Sequence, residues 1–369
     1  MVPIFKKAIR FLLFLGIGVT ILWLVFRSQN AAFQEQCRLD GVPPGQCSLI
    51  DKLLHDFSTV HFGWILMVVA AFTLSNMLRA WRWQMLLEPL GYRVNFLNSF
   101  LTILLGYFAN LGFPRMGEVV RAGSLSRYER IPLERVMGTL VVDRLMDFIC
   151  LGLVIGLAFL FEADTLWAFI QRRQTGASAA GGGGLLQHPV FLGALILAAL
   201  AGFFIWAFRE QLMKLTLFQK ITGLIEGFWD GLRSVFRLRH AGLFLAYSLG
   251  IWLMFYLQCW FNLKAFDPTC HLGAGAALMV FVFGTLGFVI PSPGGMGTFH
   301  ALAIAGLALY GIGGGDAFSY ANIAFFTIQI FYNIVAGLLA LLLLPLLNKS
   351  AARQVNDKPM VAESADAQA

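Results

Sequence analysis

Long apolar runs dominate this chain and constrain its fold more than any other feature. A run of roughly 17–25 apolar residues matches the hydrocarbon core of a bilayer. Six runs of at least that length lie at approximately 11–27, 60–80, 136–161, 189–208, 242–262 and 317–346. Only 13% of the residues are charged and 58% are hydrophobic, which excludes an ordinary soluble domain. We predict an all-α polytopic membrane protein with about six spanning helices.

Two other apolar stretches are interrupted by glycine and proline. They are FLNSFLTILLGYFANLGFPRMGE at 96–118 and AALMVFVFGTLGFVIPSPGGMGTFHALAIAGLALYG at 276–311. Proline removes a backbone donor and glycine adds backbone freedom, so both break helices. Irregular backbone at membrane depth is tolerated only where protein or a water-filled cavity covers it. We predict two re-entrant hairpins; two further spanning helices are the alternative for the second stretch.

Basic residues set the predicted orientation. If both hairpins return to the side that they left, the clusters of lysine and arginine between the runs all fall on one side. Cytoplasmic loops carry the excess of positive charge, so the net charge of +7 does not indicate nucleic-acid binding. We predict a bacterial inner-membrane protein with both termini in the cytoplasm. We expect one transmembrane domain over 1–348 and a disordered cytoplasmic tail over 349–369.

The two broken stretches occupy corresponding positions in a candidate internal repeat. Trp83 lies 31 residues before Pro114, and Trp260 lies 31 residues before Pro291. In the predicted topology the halves, roughly 60–161 and 242–346, run in opposite senses. Transporters built from inverted repeats place the substrate between corresponding broken segments, near the middle of the membrane. We therefore predict an inverted-topology repeat with a substrate site between the hairpins.

Three charged residues stand near the start of an apolar run. One charge at the centre of a span costs ~2.5–3.5 kcal/mol, so Asp143, Arg144 and Asp147 should face protein or water. Asp143 and Asp147 are four residues apart on one helix face, where like charges repel. A cation must therefore lie near them. Arg144 can pair with Asp147, and Arg115 and Arg121 are the other candidates.

These charges allow a structural and a functional interpretation. The structural one is a buried ion network that only fixes the first hairpin to the run at 136–161. The functional one is a site for an anion or a lipid headgroup. Glu118 lies three residues before Arg121, at a predicted helix N-terminus where the dipole favours a carboxylate. We interpret the segment 79–83, with its paired arginines and tryptophans, as an anchor at the membrane interface.

The second break, PSPGGMGTFHA, is predicted to contact a substrate mainly through its backbone rather than through side chains. Free N–H groups in such a loop can bind phosphate, and glycines allow a substrate to approach the backbone closely. The loop lacks the Lys-Ser/Thr ending of a nucleotide loop. We expect no cofactor and no metal, since the histidines show no metal-ligand spacing. Cys37 and Cys47 share one polar loop, where either a disulfide or two free thiols is possible.

Three motifs together resemble one protein family. NLGFPRMGEVVRAGSLSR, then VVDRLMDF, then IPSPGGMGTFHA resemble the lysylphosphatidylglycerol synthase transmembrane family, over roughly residues 10–346. Asp143 stands where the family more often has Glu, and Thr298-Phe299-His300 stands where it often has an apolar residue followed by Glu. The remaining matches fall on the three motifs: Pro114, Gly117, Glu118 and Arg121; Arg144 and Asp147; Pro291, Pro293, Gly294, Gly295 and Gly297.

The resemblance implies lipid translocation. Aminoacyl transfer in this family belongs to a separate soluble domain, which we do not expect in the short segment after the last run. We therefore predict a non-enzymatic flippase for a phospholipid or a polyprenyl-phosphate-linked lipid. The alternatives are an intramembrane lipid-modifying glycosyltransferase and a non-transporting assembly partner of a lipid-modifying enzyme or glycosyltransferase. The expected substrate contacts are Arg115, Glu118, Arg121, Asp143, Arg144, Asp147, Pro291, Ser292, Pro293, Gly294, Gly295 and Gly297.

Overall fold

Helices account for the regular secondary structure in the described part of the chain. The computed structural model describes residues 47–112, 116–165, 240–290 and 292–348, with isolated positions between 20 and 38 and Trp167. The predicted span 189–208, the predicted tail and most of the predicted span 11–27 lie outside the described residues. In chain order the helices are α1 (Leu49–Thr59), α2 (Phe62–Leu87), α3 (Phe96–Gly112), α4 (Met116–Glu129), α5 (Leu133–Phe161), α6 (Ala241–Ala265), α7 (Ala274–Val289), α8 (Thr298–Ala308), α9 (Gly314–Phe325) and α10 (Asn333–Leu347).

Four described helical segments are long and apolar enough to cross a membrane. They are Phe62–Leu90, Leu133–Phe161, Ala241–Ala265 and Gly314–Leu347. The last contains α9, a π-helical segment at Phe326–Tyr332 and α10. Each coincides with a predicted run, which confirms an all-α membrane protein. The total number of spans stays a prediction.

The chain divides into two compact units. The first comprises residues 1–143 and 242–369, and the second comprises residues 144–241. The boundary falls within α5, directly after Asp143. Every contact between helices described below lies within the first unit, and the single-domain assignment for 1–348 stays a prediction.

Both interrupted stretches fold as a helix, a break and a second helix packed along the first. The pairs are α3 with α4 and α7 with α8. Glycine permits this packing: a β-carbon on Gly106 would lie 2.9 Å from the carbonyl oxygen of Gly117, and one on Gly287 would lie 2.7 Å from Cα of Phe299. The 16 residues of α7 extend about 24 Å, which is less than the ~30 Å of a bilayer core. This short reach supports the predicted re-entrant hairpins.

The order of elements in α2–α5 recurs in α6–α10. Each half begins with a long helix, followed by a 3-10 turn that starts with an acidic residue and proline, Glu88–Leu90 in one half and Asp267–Thr269 in the other. A short apolar helix, a break, a further helix and a long helix follow in each half. The repeat suggested by the sequence is therefore also present in the order of the structural elements.

The residues directly before Trp83 and Trp260 make corresponding contacts in the two halves. Arg82 donates a hydrogen bond to Asp143, 61 residues further along the chain. Cys259 and the Tyr320 hydroxyl hydrogen-bond at 3.6 Å, and they are also 61 residues apart. In both halves this contact joins the first long helix to the last one. The same spacing on the same pair of elements supports a repeat rather than a coincidence of composition.

The first helices of the two halves run antiparallel. The rings of Trp64 and Phe261 lie 5.8 Å apart at one end of the α2–α6 pair. The rings of Trp81 and Tyr247 lie 6.0 Å apart at the other end. Opposite direction of equivalent helices is the relation that an inverted-topology repeat requires.

The segment before α2 is fastened to the second half. A disulfide joins Cys37 and Cys47, so the two-thiol alternative does not hold in this structure. In α1, Nζ of Lys52 lies 2.8 Å from Asp316 of α9 and 2.9 Å from Asp56. Burial alone would lower the pKa of Lys52, but the hydrogen bonds to Asp316 and Asp56 outweigh burial and leave that pKa raised.

The close approach of α7 to α8 makes a testable prediction. Gly287→Ala forces a methyl group against the backbone of α8, and overpacking of this kind costs about 1–3 kcal/mol. We expect a lower melting temperature in detergent, measured by fluorescence-detected size exclusion. Gly138→Ala is the control, because that helical glycine has open space around it and alanine favours helix by up to about 1 kcal/mol. Equal melting temperatures for the two variants would contradict the packing described.

Candidate functional site

A single buried carboxylate gathers three arginines from two helices. Asp143 on α5 is fully buried. Arg82 donates from Nε and Nη2 to Oδ1 of Asp143 at 2.9 and 2.6 Å. Arg121 on α4 donates from Nη1 to Oδ2 at 3.2 Å, and Nη1 of Arg79 lies 3.7 Å from the same oxygen. The cluster therefore ties α2, α4 and α5 together at one point.

Neighbouring side chains hold the arginines in place. Arg82 also donates to the Ser248 hydroxyl on α6 at 3.3 Å. The guanidinium of Arg121 lies 3.8 Å from the centroid of the Trp83 ring, within cation–π distance. The indole of Trp83 in turn donates to the Thr139 hydroxyl at 2.9 Å. Both guanidinium groups are thus held by oriented partners as well as by the carboxylate.

The structure corrects our interpretation of the segment 79–83. We expected an anchor at the membrane interface, but Arg79, Arg82 and Trp83 are buried. The reason is that α2 continues to Leu87, well past the apolar run, and α4 and α5 cover this part of it. The signal available in the sequence was the i, i+3 spacing of two arginines on one helix face.

Arg144 makes the contact that its spacing predicts. Its pairing with Asp147 is confirmed, with Nη1 3.3 Å from Oδ2. Asp143 turns toward arginines of α2 and α4. The expected approach of Arg121 to this helix is present. Arg115 lies outside the described residues, and Glu118 is half-buried in the first turn of α4.

The second break has the glycine-dependent backbone that its sequence predicts. Gly294, Gly295 and Gly297 have φ of 58°, 81° and 79°, which lies in the left-handed region that glycine adopts without strain. Ser292 and Thr298 hydrogen-bond to each other through their hydroxyl groups at 2.8 Å. Pro293 begins a 3-10 turn that ends at Gly295, and Pro291 lies outside the described residues.

The space beside Gly295 is not open for a substrate. A β-carbon there would collide with the ring of Phe288. That ring lies 5.0 Å from the ring of Phe299 on α8. Gly295 therefore allows α7 and the loop to pack closely, which differs from the direct approach of a substrate that the sequence suggested.

The tips of the two hairpins meet. A β-carbon on Gly294 would lie 3.8 Å from Cδ2 of Leu111, at the end of α3. The first tip is closed by Asn110, whose side-chain oxygen accepts a hydrogen bond from the backbone N–H of Gly117 at 2.7 Å. Corresponding breaks of the two halves are thus adjacent, as the repeat predicted.

A polar stripe on α2 leads away from the arginine cluster. Thr73, Asn76 and Arg79 are spaced three residues apart and share one helix face. The Thr73 hydroxyl donates to the Tyr332 hydroxyl at 3.0 Å, and Tyr332 ends the π-helical segment. Such π-helical turns frequently occur at functional sites. Asn76 is fully buried between these points.

Comparison with known proteins assigns the chain to a family. The family model described as the lysylphosphatidylglycerol synthase TM region matches residues 49–349. The chain belongs to this family. A stretch of 101 residues is also 33% identical to the UPF0104 membrane protein MJ1595 of Methanocaldococcus jannaschii. That stretch covers 27% of this chain and 30% of the relative. No solved structure matches.

Membership confirms the resemblance carried by the three motifs. Two of those motifs contribute Arg121 and Asp143 to the buried cluster, and the third forms the tip of the second hairpin. The family is a transmembrane region of a lipid-related protein, so the chain is a membrane protein of that family. The particular residues expected to contact substrate stay predictions.

The buried cluster makes a second testable prediction. Asp143→Asn leaves the arginine side chains without their shared carboxylate, and loss of one partner of a buried ion network costs ~3–5 kcal/mol. We expect a large fall in melting temperature and in yield. Adding Arg82→Gln to Asp143→Asn should recover part of the loss, because it removes a buried cation.

The control for this variant is Asp267→Asn. Asp267 pairs with His61, but their side chains are 70% and 55% exposed. Exposed ion pairs contribute about 0–1 kcal/mol, so the melting temperature should change little. If Asp143→Asn and Asp267→Asn are equally mild, the cluster does not hold the helices together.

Proposed function

We propose that this protein is a flippase, which moves a phospholipid or a polyprenyl-phosphate-linked lipid between the leaflets of a bacterial inner membrane. The observation that carries the proposal is the contact between the hairpin tips at Leu111 and Gly294, within a repeat whose first helices are antiparallel. Transporters of inverted-repeat construction bind substrate where such broken segments meet. Both termini lie in the cytoplasm in this proposal.

The polar face of α2 gives the headgroup a path. A charged headgroup that crosses bare hydrocarbon loses its hydration, which is costly without replacement partners. Arg79, Asn76 and Thr73 would offer successive partners along two turns of one helix once the helices that bury Arg79 and Asn76 move apart. The acyl chains would stay in the surrounding lipid while the headgroup follows this face.

The arginine cluster supports an anionic substrate. Guanidinium groups bind phosphate through paired, planar hydrogen bonds. Arg121 is held by the Trp83 ring and by Asp143, so its geometry is fixed before any ligand arrives. Pre-organised donors lose little conformational freedom on binding. Of the expected residues, we therefore assign Arg121 and Asp143 to the substrate site, with Arg79 and Arg82 added to them.

Transfer in purified liposomes tests the function. The protein is reconstituted into vesicles that contain a fluorescent phosphatidylglycerol or a fluorescent polyprenyl-phosphate sugar, and a membrane-impermeant quencher reports lipid that reaches the outer leaflet. We expect quenching beyond the half that protein-free vesicles show. Absence of transfer, with folded protein in the vesicles, contradicts the proposal. A covalently altered lipid on mass spectrometry would instead favour a lipid-modifying transferase.

The second hairpin tip supplies a matched pair of variants. Gly295→Ala and Gly311→Ala both place alanine at a φ near 80°, so they carry a similar backbone strain. Only at Gly295 does the new methyl group meet a neighbour, the ring of Phe288, since Gly311 has open space. We expect transfer to fall about tenfold for Gly295→Ala relative to Gly311→Ala, as for ~1.4 kcal/mol.

A rescue variant separates the tip from general damage. Phe288→Ala removes the ring that the new methyl group meets, so Gly295→Ala with Phe288→Ala should transfer lipid faster than Gly295→Ala alone. Equal transfer by Gly295→Ala and Gly311→Ala would show that packing at this tip has no part in transport.

A further inference from the structure

An open cleft lies at the end of the α2–α6 pair that is remote from the arginine cluster. Its volume is about 670 Å³, and it is lined by residues at the start of α2, the end of α6 and the following turn: His61, Phe62, Gly63, Trp64, Met67, Lys264 and Cys270. Because α2 and α6 are antiparallel and begin the two halves, the cleft lies on the seam of the repeat. In the predicted topology this end faces outward.

The cleft contains one ammonium group with hydrogen-bonding capacity to spare. Nζ of Lys264 donates to the carbonyl oxygens of Cys270 and Leu272 at 2.5 and 3.0 Å. An ammonium group has three donors, so one proton is left after these two bonds. Within the described residues, Lys264 forms no ion pair. A lysine held in this way presents a fixed positive charge to the cleft.

The carboxylate nearest the cleft is exposed to water. Asp267 follows α6, and its Oδ1 lies 2.7 Å from Nε2 of His61. This contact engages the carboxylate with the imidazole that lines the cleft. The Asp267 side chain is 70% exposed, so water screens its charge, whereas Nζ of Lys264 is held at the cleft by two carbonyl groups.

The walls of the cleft are apolar and open to the surroundings. Phe62 is 83% exposed, Met67 is 46% exposed and Trp64 is 39% exposed. An aromatic and aliphatic surface of this size beside a cation suits a molecule with a charged head and a hydrocarbon tail. Tryptophan in particular favours the headgroup level of a membrane.

We propose that this cleft binds the phosphate of a phospholipid, with Lys264 as its ligand and an acyl chain over Phe62, Trp64 and Met67. The inference deepens the proposed function and rests on it in one respect: the cleft is the outer end of the headgroup path. Arg79 follows His61, the residue directly before α2, by 18 residues, about 27 Å along a helix. That distance is close to the ~30 Å thickness of the hydrocarbon core, so cations stand at both ends of the path.

Lipid retention tests the binding site without reference to transport. The protein is purified from nanodiscs of phosphatidylglycerol, and bound lipid is counted by native mass spectrometry. We expect Lys264→Gln to retain about tenfold less phosphatidylglycerol, as for the loss of one charge-assisted contact. Lys264→Arg should retain it. Arg93→Gln, which removes an exposed positive charge after α2, is the control for net charge.

A second variant tests the cleft without disturbing the turn that Lys264 supports. Gly63→Leu fills the cleft from α2, where a side chain meets open space, and leaves Lys264 intact; it should lower retention as well. Equal retention by wild type, Lys264→Gln and Gly63→Leu overturns the site. Competition by inorganic phosphate at the same concentration as lipid would show that free phosphate, rather than a lipid headgroup, is the ligand, and would also overturn it.

The transport assay separates the two proposals. If Lys264→Gln and Gly63→Leu lose bound lipid and also lose transfer, the cleft is an end of the path. If they lose bound lipid while transfer is unchanged, the cleft binds lipid but is not on the path, and that part of the inference fails. If wild-type protein retains lipid through Lys264 but transfers none, the site stands and the flippase proposal fails.

Discussion

The charge on Asp143 determines how the first half of this protein can be built. A carboxylate within an apolar helix is stable only with partners that replace water, and here those partners come from α2 and α4. The first hairpin must therefore return toward α5 so that Arg121 reaches Oδ2. The tryptophan under Arg121 and the serine beside Arg82 are further consequences of the same requirement. The position of the first tip, and hence of its contact with the second, follows from this ion cluster.

Much of this architecture could be predicted from the sequence. Apolar runs and helix breakers act over short distances, so four spans, both hairpins and the glycine-dependent second tip were predictable from them. Trp83 and Trp260 each lie 31 residues before a proline in a broken stretch. This equal spacing predicted the repeat, which the contacts of Arg82 and Cys259 support. The partners of Asp143 were harder to find. Arg79 and Arg82 stand at the end of the apolar run 60–80, where composition cannot separate contact with lipid headgroups from burial by other helices.

Packing also decided what the glycines do. The sequence shows that Gly295 permits a left-handed backbone, but only the positions of α7 and the loop reveal that Phe288 occupies the space beside it. The same limit applies to Asp143, whose partners on α2 are not the arginines nearest to it in sequence. Spacing along one helix gives the possible partners, whereas the relative placement of three helices selects among them.

The two halves make a contact between the same pair of elements, but the groups that form it differ chemically. Where one half joins its outer helices by Arg82 and Asp143, the other joins them by a thiol and a phenol, Cys259 and Tyr320. An ion pair in low dielectric is far stiffer toward separation than a weak sulfur hydrogen bond. If the proposed flippase works by exchanging the conformations of its two halves, the two exchanged states would then differ in free energy. Under the proposed function, the half that contains Arg82 and Asp143 would then open less readily than the half that contains Cys259 and Tyr320.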